Sequence, residues 1–254
     1  MGRLDGKVAI VTGAGNGIGR ACAIRFAKEG AQVVATTRNP EHGAATLQVI
    51  KDAGGDAIFV QADLRVKEEI ENIYTTTMDT YGKLDAVVNC AGVLVHKPFL
   101  EQNDDDFNLV LETNYRSCIW SMQAAIPIFL EQGGGGSIVN IASISATVPE
   151  VNSYFYGGCK AALNKLSMDV AKEFAPKQIR INVVCPGPVN SGMTPEEVIN
   201  DAAAQKFMTE NVAIIGRLGI PDDIANLCLF LSSDEASWVT GSSYIIDGGT
   251  ALAV

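Results

Sequence analysis

The sequence predicts an α/β protein built on a doubly wound parallel sheet of about seven strands flanked by helices. Two observations predict it. Short β-branched runs recur along the 254 residues with helical patterns between them. Within those runs the apolar residues fall on consecutive positions instead of alternate ones. Strands that read this way are covered on both faces, as they are when crossover helices pack above and below a parallel sheet.

The elements follow in order. A strand over 8–11 enters the glycine-rich turn Thr12-Gly13-Ala14-Gly15-Asn16-Gly17-Ile18-Gly19, and a helix over 18–29 leaves it, with Gly30 as its stop. Strands are expected over 32–35 and 57–60, then a helix over 65–81 closed by Gly82, then a strand over 86–88. One long helix is expected over 104–130; a flexible turn at 133–136 leads to a strand over 137–141. A helix over 153–174, a strand over 180–184, a helix over 222–231 and a strand over 244–246 complete the pattern. The βα alternation never breaks, so residues 1–254 are expected to form one domain. The stretch 186–213 is the least regular, and residues 188–213 are the expected substrate lid.

Composition narrows the function. Hydrophobic residues make up 47% and charged ones 19%, enough for a core throughout. A formal charge of −10 argues against sequence-independent nucleic-acid binding, which needs Lys and Arg on phosphates. No apolar run approaches the roughly 18 residues of a membrane span. The first seven residues lack an apolar signal region, so a cytoplasmic protein is expected. Cys22, Cys90, Cys118, Cys159, Cys185 and Cys228 form no CxxC pair and read as reduced thiols. With His42 and His96 as the sole histidines, no metal site is expected.

The glycine turn sits where a strand runs into a helix. Glycines there allow tight turning and close backbone approach, while N–H groups at a helix start attract a pyrophosphate. The spacing does not satisfy G-x-G-x-x-G but does satisfy T-G-x-x-x-G-x-G. Downstream, Tyr156 and Lys160 are four apart in a helical stretch, which puts both side chains on one face; the i+4 partner of Tyr154 is Gly158, which carries no charge. An ammonium beside a phenol favours the phenolate, so Lys160 is expected to lower the Tyr156 pKa from about 10 toward the working range of an acid/base catalyst.

In these motifs the chain resembles the classical branch of the short-chain dehydrogenase/reductase family, and Asn114, Ser143, Tyr156 and Lys160 fall in its order. The resemblance implies a Rossmann fold and reversible hydride transfer between a secondary alcohol and a ketone. It implies that Tyr156 is the acid/base, that Ser143 hydrogen-bonds the substrate oxygen, and that Lys160 grips the nicotinamide ribose beside a water held by Asn114. It also implies cofactor contacts at Gly13, Gly15, Asn16, Gly17, Ile18, Gly19, Thr37, Arg38, Asp63, Leu64, Asn89, Ala91, Gly92, Tyr156, Lys160, Pro186, Gly187, Val189 and Ser191. Cys90 and Ser191 depart from the family's usual Asn and Thr, and Thr240-Gly241 with Asp247-Gly248-Gly249 resembles its terminal motif. Relatives commonly form homotetramers through the helices at 104–130 and 153–174, and the same is expected here.

An acidic residue ending the second strand marks NAD, whereas arginine accommodates the 2′-phosphate of NADP. Here the chain reads Thr36-Thr37-Arg38-Asn39 with no carboxylate before Glu41, so NADP(H) is expected over NAD(H). Asn16 departs from this pattern, since many NADP-preferring relatives carry a basic residue there. Val93, Leu94, Val95, residues 144–151 and the loop from Pro188 are mostly apolar, which fits a hydrophobic, cyclic or steroid-like substrate; packing of these loops on their neighbours is the alternative. A 3-oxoacyl thioester is the second choice. The acidic run 194–201 counts against an acidic carrier protein. A non-catalytic NADP(H)-sensing module is the third reading, and it would have no need of an acid/base pair.

Overall fold

The structure is a computed structural model and describes residues 2–133, 135–193, 201, 203, 206 and 212–253. Seven parallel strands form one sheet: β1 Val8–Thr12, β2 Gln32–Thr37, β3 Asp56–Gln61, β4 Ala86–Asn89, β5 Gly136–Ile141, β6 Ile179–Pro186 and β7 Ser243–Ile246. Their spatial order is β3-β2-β1-β4-β5-β6-β7, so the chain reverses direction across the sheet between β1 and β4. At such a switch point the connections after neighbouring strands leave on opposite faces and open a crevice beyond the carboxyl ends.

Consecutive apolar residues divide between the two faces. Ala9, Val11 and Val33 face one cluster with Phe26 of helix α1 Gly17–Lys28 and Leu229 of the helix Pro221–Ser232. Ile10, Val34 and Val87 face another with Ile73 of α3 Lys67–Tyr81 and Phe129 of α5 Ser117–Glu131. The second cluster also takes Ala171 of α6 Tyr154–Phe174. Gly30 and Gly82 stop α1 and α3 at positive φ of 89° and 71°, as expected of glycines past a helix end.

Three helices differ from the sequence pattern, one of them the short Thr250–Ala253 near the C-terminus. Helix α2, Pro40–Asp52, has no counterpart in the sequence pattern: it buries only Gly43, Thr46 and Ile50, too thin an apolar stripe to stand out. Its start is nonetheless written in the sequence, because Asn39 caps the N–H groups of Glu41 and His42 and Pro40 takes the first turn. The helix expected over 104–130 is interrupted. Helix α4 Asp104–Leu111 passes into a π-helical turn, Glu112–Arg116, before α5 resumes. Within it the Asn114 side chain donates to the Val110 carbonyl at 3.0 Å, an acceptor that regular helix bonding uses, and Ser117 donates to the Thr113 carbonyl at 2.7 Å.

Of the expected lid, residues 194–200, 202, 204, 205 and 207–211 lie outside the described residues, as does all but Asp201 of the acidic run. Among the described residues no helix is long and apolar enough to cross a membrane, and no group of three His, Cys, Asp or Glu could hold a metal.

Candidate active site

At the switch point the Thr12 hydroxyl accepts the N–H groups of Cys90 and Ala91 at 2.9 and 3.1 Å, binding the end of β1 to the turn after β4. The glycines beside it are spaces that side chains would fill. A Cβ on Gly13, which has φ +69°, would lie 2.9 Å from the Ala91 backbone; one on Gly19 would lie 2.3 Å from the Gly13 carbonyl. Asn16 caps α1 by accepting the Gly17 N–H at 2.7 Å. Its amide also packs against Gly192, where a Cβ would come within 2.0 Å, so Asn16 spans from the glycine turn to the segment after β6. Ser191 stands beside Gly17 in the same wall. The first turn of α1, including Ile18, holds no acidic residue. Its N–H groups and the helix dipole suit an anion, so a dinucleotide pyrophosphate fits this turn.

Thr37 and His42 flank the next position: a Cβ on Gly15 would lie 2.9 Å from Thr37 Oγ1 and 2.9 Å from His42 Cβ. Sequence reading missed His42, which the unforeseen start of α2 brings there. Arg38 is exposed, with its carbonyl held by Gln61 at 3.2 Å. The Asp63 carboxylate is engaged by Arg65, at 2.6 Å to the nearer guanidinium nitrogen, and this bond holds its pKa below the usual carboxylate range. Leu64 packs on the sheet cluster beside it. Asn89 is committed inward: its amide donates to Asn140 at 2.8 Å and its oxygen accepts from Ser121 at 2.6 Å. Cys90 packs against the core, and burial pushes its thiol up to about 12, so it is inert.

Asn114, Ser143, Tyr156 and Lys160 are all buried near the carboxyl ends of β4 and β5. Lys160 Nζ donates to the Ile141 carbonyl at 2.8 Å and lies 5.5 Å from the Tyr156 ring centroid. Asn114 accepts the Val93 N–H at 3.1 Å and donates to the Val93 carbonyl at 2.8 Å, pinning the loop after β4. Gly92 lies between them: a Cβ there would be 2.7 Å from Asn114 Oδ1 and 3.7 Å from Lys160 Nζ. Ser143 starts a short 3-10 turn, Ile144–Ala146, and accepts the Ser145 N–H at 3.1 Å. Its hydroxyl is 3.0 Å from that of Ser145, which donates to the Glu150 carboxylate. Neither Ser145 nor Glu150 was singled out in the sequence, where nothing marks their contact.

One expectation fails. Burial pushes the Tyr156 phenol up to about 12 and the Glu150 charge adds to it, while the Ser143 side chain pulls it down without outweighing desolvation. Burial depresses the pKa of Lys160 as well, and one of the three hydrogens on its Nζ goes to the Ile141 carbonyl. The phenol is therefore neutral at physiological pH in the protein alone.

Val93, Leu94 and Val95 pack with Tyr156, Phe155 and Val110 as an apolar cluster around the site. The loop continuing from them is held by Lys97 N–H to the Asn152 carbonyl, 3.0 Å, and by Phe99 edge-on to Tyr154 at the start of α6. Pro186 ends β6 opposite Ile246, and Gly187 lies against Asp247, where a Cβ would be 2.5 Å from the Asp247 Cβ. Val189 bridges to Gly219 beyond them.

This arrangement, a glycine turn at a sheet switch point beside a buried Tyr, Lys, Ser and Asn, has counterparts among known proteins. A family model described as Enoyl-(Acyl carrier protein) reductase matches residues 13–251. The chain is 36% identical to the 2,5-dichloro-2,5-cyclohexadiene-1,4-diol dehydrogenase of Sphingobium indicum over 255 residues, covering 99% of both. It superposes with TM-score 0.90 on a short-chain type dehydrogenase/reductase from Mycobacterium marinum, 31% identical, over 97% of this chain and 96% of the other. A 7α-hydroxysteroid dehydrogenase solved with NADH and 7-oxo glycochenodeoxycholic acid gives TM-score 0.91 at 35% identity, over 98% and 95%. Matched along nearly its whole length in both sequence and fold, the chain belongs to the classical short-chain dehydrogenase/reductase family and is an oxidoreductase acting on hydroxyl groups.

Proposed function

We propose that the enzyme interconverts a hydrophobic cyclic or steroid-like secondary alcohol and its ketone, with NADP(H) preferred to NAD(H). The observation that carries this reading is that Tyr156, Ser143 and Lys160 are buried together, with Lys160 5.5 Å from the Tyr156 ring and close to Gly92 after β4. The nicotinamide supplies the hydride, or accepts it in the reverse direction. The glycine turn and the start of α1 hold the pyrophosphate; Thr37, Arg38 and His42 face the adenosine end. Gly92, Val189 and Ser191 line the way to the pocket. Ser143 orients the substrate oxygen, and Tyr156, held neutral by burial, donates its proton to that oxygen during reduction. Lys160 positions the ribose, and Asn114 fixes the loop that shapes the pocket.

The cofactor preference rests on the end of β2, which offers Thr37 and Arg38 and no carboxylate. The substrate class rests on the apolar cluster around Tyr156 and on relatives named for cyclic alcohols. An acyl thioester is kept as the second reading because of the description of the family model. We also read residues 1–254 as one cytoplasmic catalytic unit. It would assemble as a homotetramer through the apolar groove that Met122, Ile126, Leu166 and Phe174 line between α5 and α6.

The test is turnover of cyclohexanone, a 7-oxosteroid and an acetoacetyl thioester with NADPH and with NADH. The reading predicts oxidation of NADPH by the cyclic ketones. It also predicts that Arg38→Ala raises the NADPH KM by about tenfold or more, as loss of a charge-assisted bond implies, and spares NADH. Equal effects on both dinucleotides would remove the NADP assignment, and turnover of the thioester alone would favour the second reading.

A further inference from the structure

The Glu150 carboxylate stands two hydrogen bonds from the Ser143 hydroxyl, and among the described residues no cation is paired with it. We infer that Glu150 is a specificity-determining residue: it accepts a hydrogen bond from a second hydroxyl on the carbon next to the reacting one, so the site favours a neutral vicinal diol and rejects an anionic alcohol. This rests on the alcohol/ketone reading above and adds the chemistry that the rest of the substrate must carry.

The contacts set the reach of the carboxylate. Ser145 donates its hydrogen to Glu150, and the Ser143 and Ser145 oxygens are 3.0 Å apart. Two hydrogen bonds in sequence span about 6 Å at most, so the carboxylate lies within that distance of Ser143 Oγ. The Ser143 side chain is also hydrogen-bonded to the Tyr156 phenol, so an alcohol oxygen that meets both residues falls within the same neighbourhood. Hydroxyls on adjacent carbons hold their oxygens about 3 Å apart, itself a hydrogen-bond distance. With one oxygen on Ser143 and Tyr156, the second can therefore stand between the first and Glu150.

The preference follows from what a carboxylate can do. It only accepts, and its two oxygens offer about four lone-pair directions. Ser145 occupies one of them, and Glu150 is exposed, so a substrate hydroxyl can take another from water and leave nothing unpaired. The adjoining loop supplies no countercharge: the Lys97 main chain lies against Asn152, but its ammonium is bound to Asp106 at 2.8 Å. The charge is felt at the reacting end, because it opposes ionisation of the Tyr156 phenol. A carboxylate on the substrate at the same place would meet like charge and bring no hydrogen to share. Val93, Leu94 and Val95, which pack with Tyr156, serve the carbon ring, and Glu150 adds the polar contact that this cluster lacks.

The experiment uses the full-length enzyme with saturating dinucleotide and three probes on one ring: cyclohexanol, 1,2-cyclohexanediol in both cis and trans forms, and 2-hydroxycyclohexanecarboxylate. Values of kcat/KM are compared as ratios within each variant, so a general loss from a poorer fold cancels. The parent is expected to favour the diol over cyclohexanol, and Glu150→Ala to cut that ratio by about tenfold, the worth of one hydrogen bond to a charged group. Glu150→Gln still accepts but carries no charge. It should keep part of the diol preference and improve the carboxylate-to-cyclohexanol ratio by about fivefold, the size of a solvent-screened repulsion. Added salt should improve the same ratio in the parent and leave it unchanged in Glu150→Gln. A diol ratio unmoved in Glu150→Ala, or a carboxylate ratio unmoved in Glu150→Gln, overturns the inference, while turnover of cyclohexanol keeps the alcohol/ketone reading standing. Failure of the parent to turn over any of the probes removes that reading, and this inference with it.

Discussion

Tyr156 and Lys160 illustrate what spacing tells about a side chain and what it does not. Four residues apart on α6, they share a face and meet at 5.5 Å, as helical geometry dictates. Their ionisation depends first on burial, which no spacing reveals. A consequence is measurable in the protein without cofactor. The folded-state pKa of Tyr156 is about 12, against about 10 for a free phenol, so the unfolded chain releases this proton first. The stability Tyr156 contributes is complete below about pH 10 and is lost as pH rises through about 12. Urea midpoints of the parent should therefore fall further across that window than those of Tyr156→Phe; parallel curves would contradict the shift. Lys160 has the opposite sign, since its depressed pKa makes the fold gain stability as pH rises toward the value of a free lysine.

Among the elements, the glycine turn shows how closely backbones must approach before a ligand can. Gly19→Ala places a Cβ 2.3 Å from the Gly13 carbonyl, where only backbone movement relieves the clash. It should cost about 1–3 kcal/mol, as overpacking does, and weaken dinucleotide binding with it. Gly158→Ala in the interior of α6 meets nothing within 4 Å and should instead stabilise the fold by about 0.5–1 kcal/mol. Chemical denaturation of the two variants separates a glycine kept for space from one that is not. All seven strands and the motif-bearing turns were legible in the sequence because burial on both faces leaves an unbroken apolar record. Helix α2 was not, since it rests on Gly43, Thr46 and Ile50, and with it went His42. The π-turn at Asn114 is not legible for another reason: one extra residue in a helical turn leaves the apolar periodicity nearly intact. The Ser143, Ser145 and Glu150 contacts were equally invisible, being made across a loop of no regular period.

For the molecule as a whole, the strand order brings the parts together. The reversal between β1 and β4 opens the crevice where the glycine turn lies, and β4 and β5 deliver Gly92 and Ser143 to its edge. Helix α6 crosses beneath with Tyr156 and Lys160. On the proposed reading, cofactor and substrate sites are fixed to neighbouring strands of one packed sheet, a rigidity that suits the exchange of hydride and proton over short distances. The most direct test of that claim is turnover by Tyr156→Phe alongside its affinity for dinucleotide. The account predicts a loss of about 10²–10⁴ in kcat, the usual worth of a positioned acid/base, with dinucleotide affinity unchanged. Turnover within a few-fold of the parent would show that the proton travels by another group and would contradict the account.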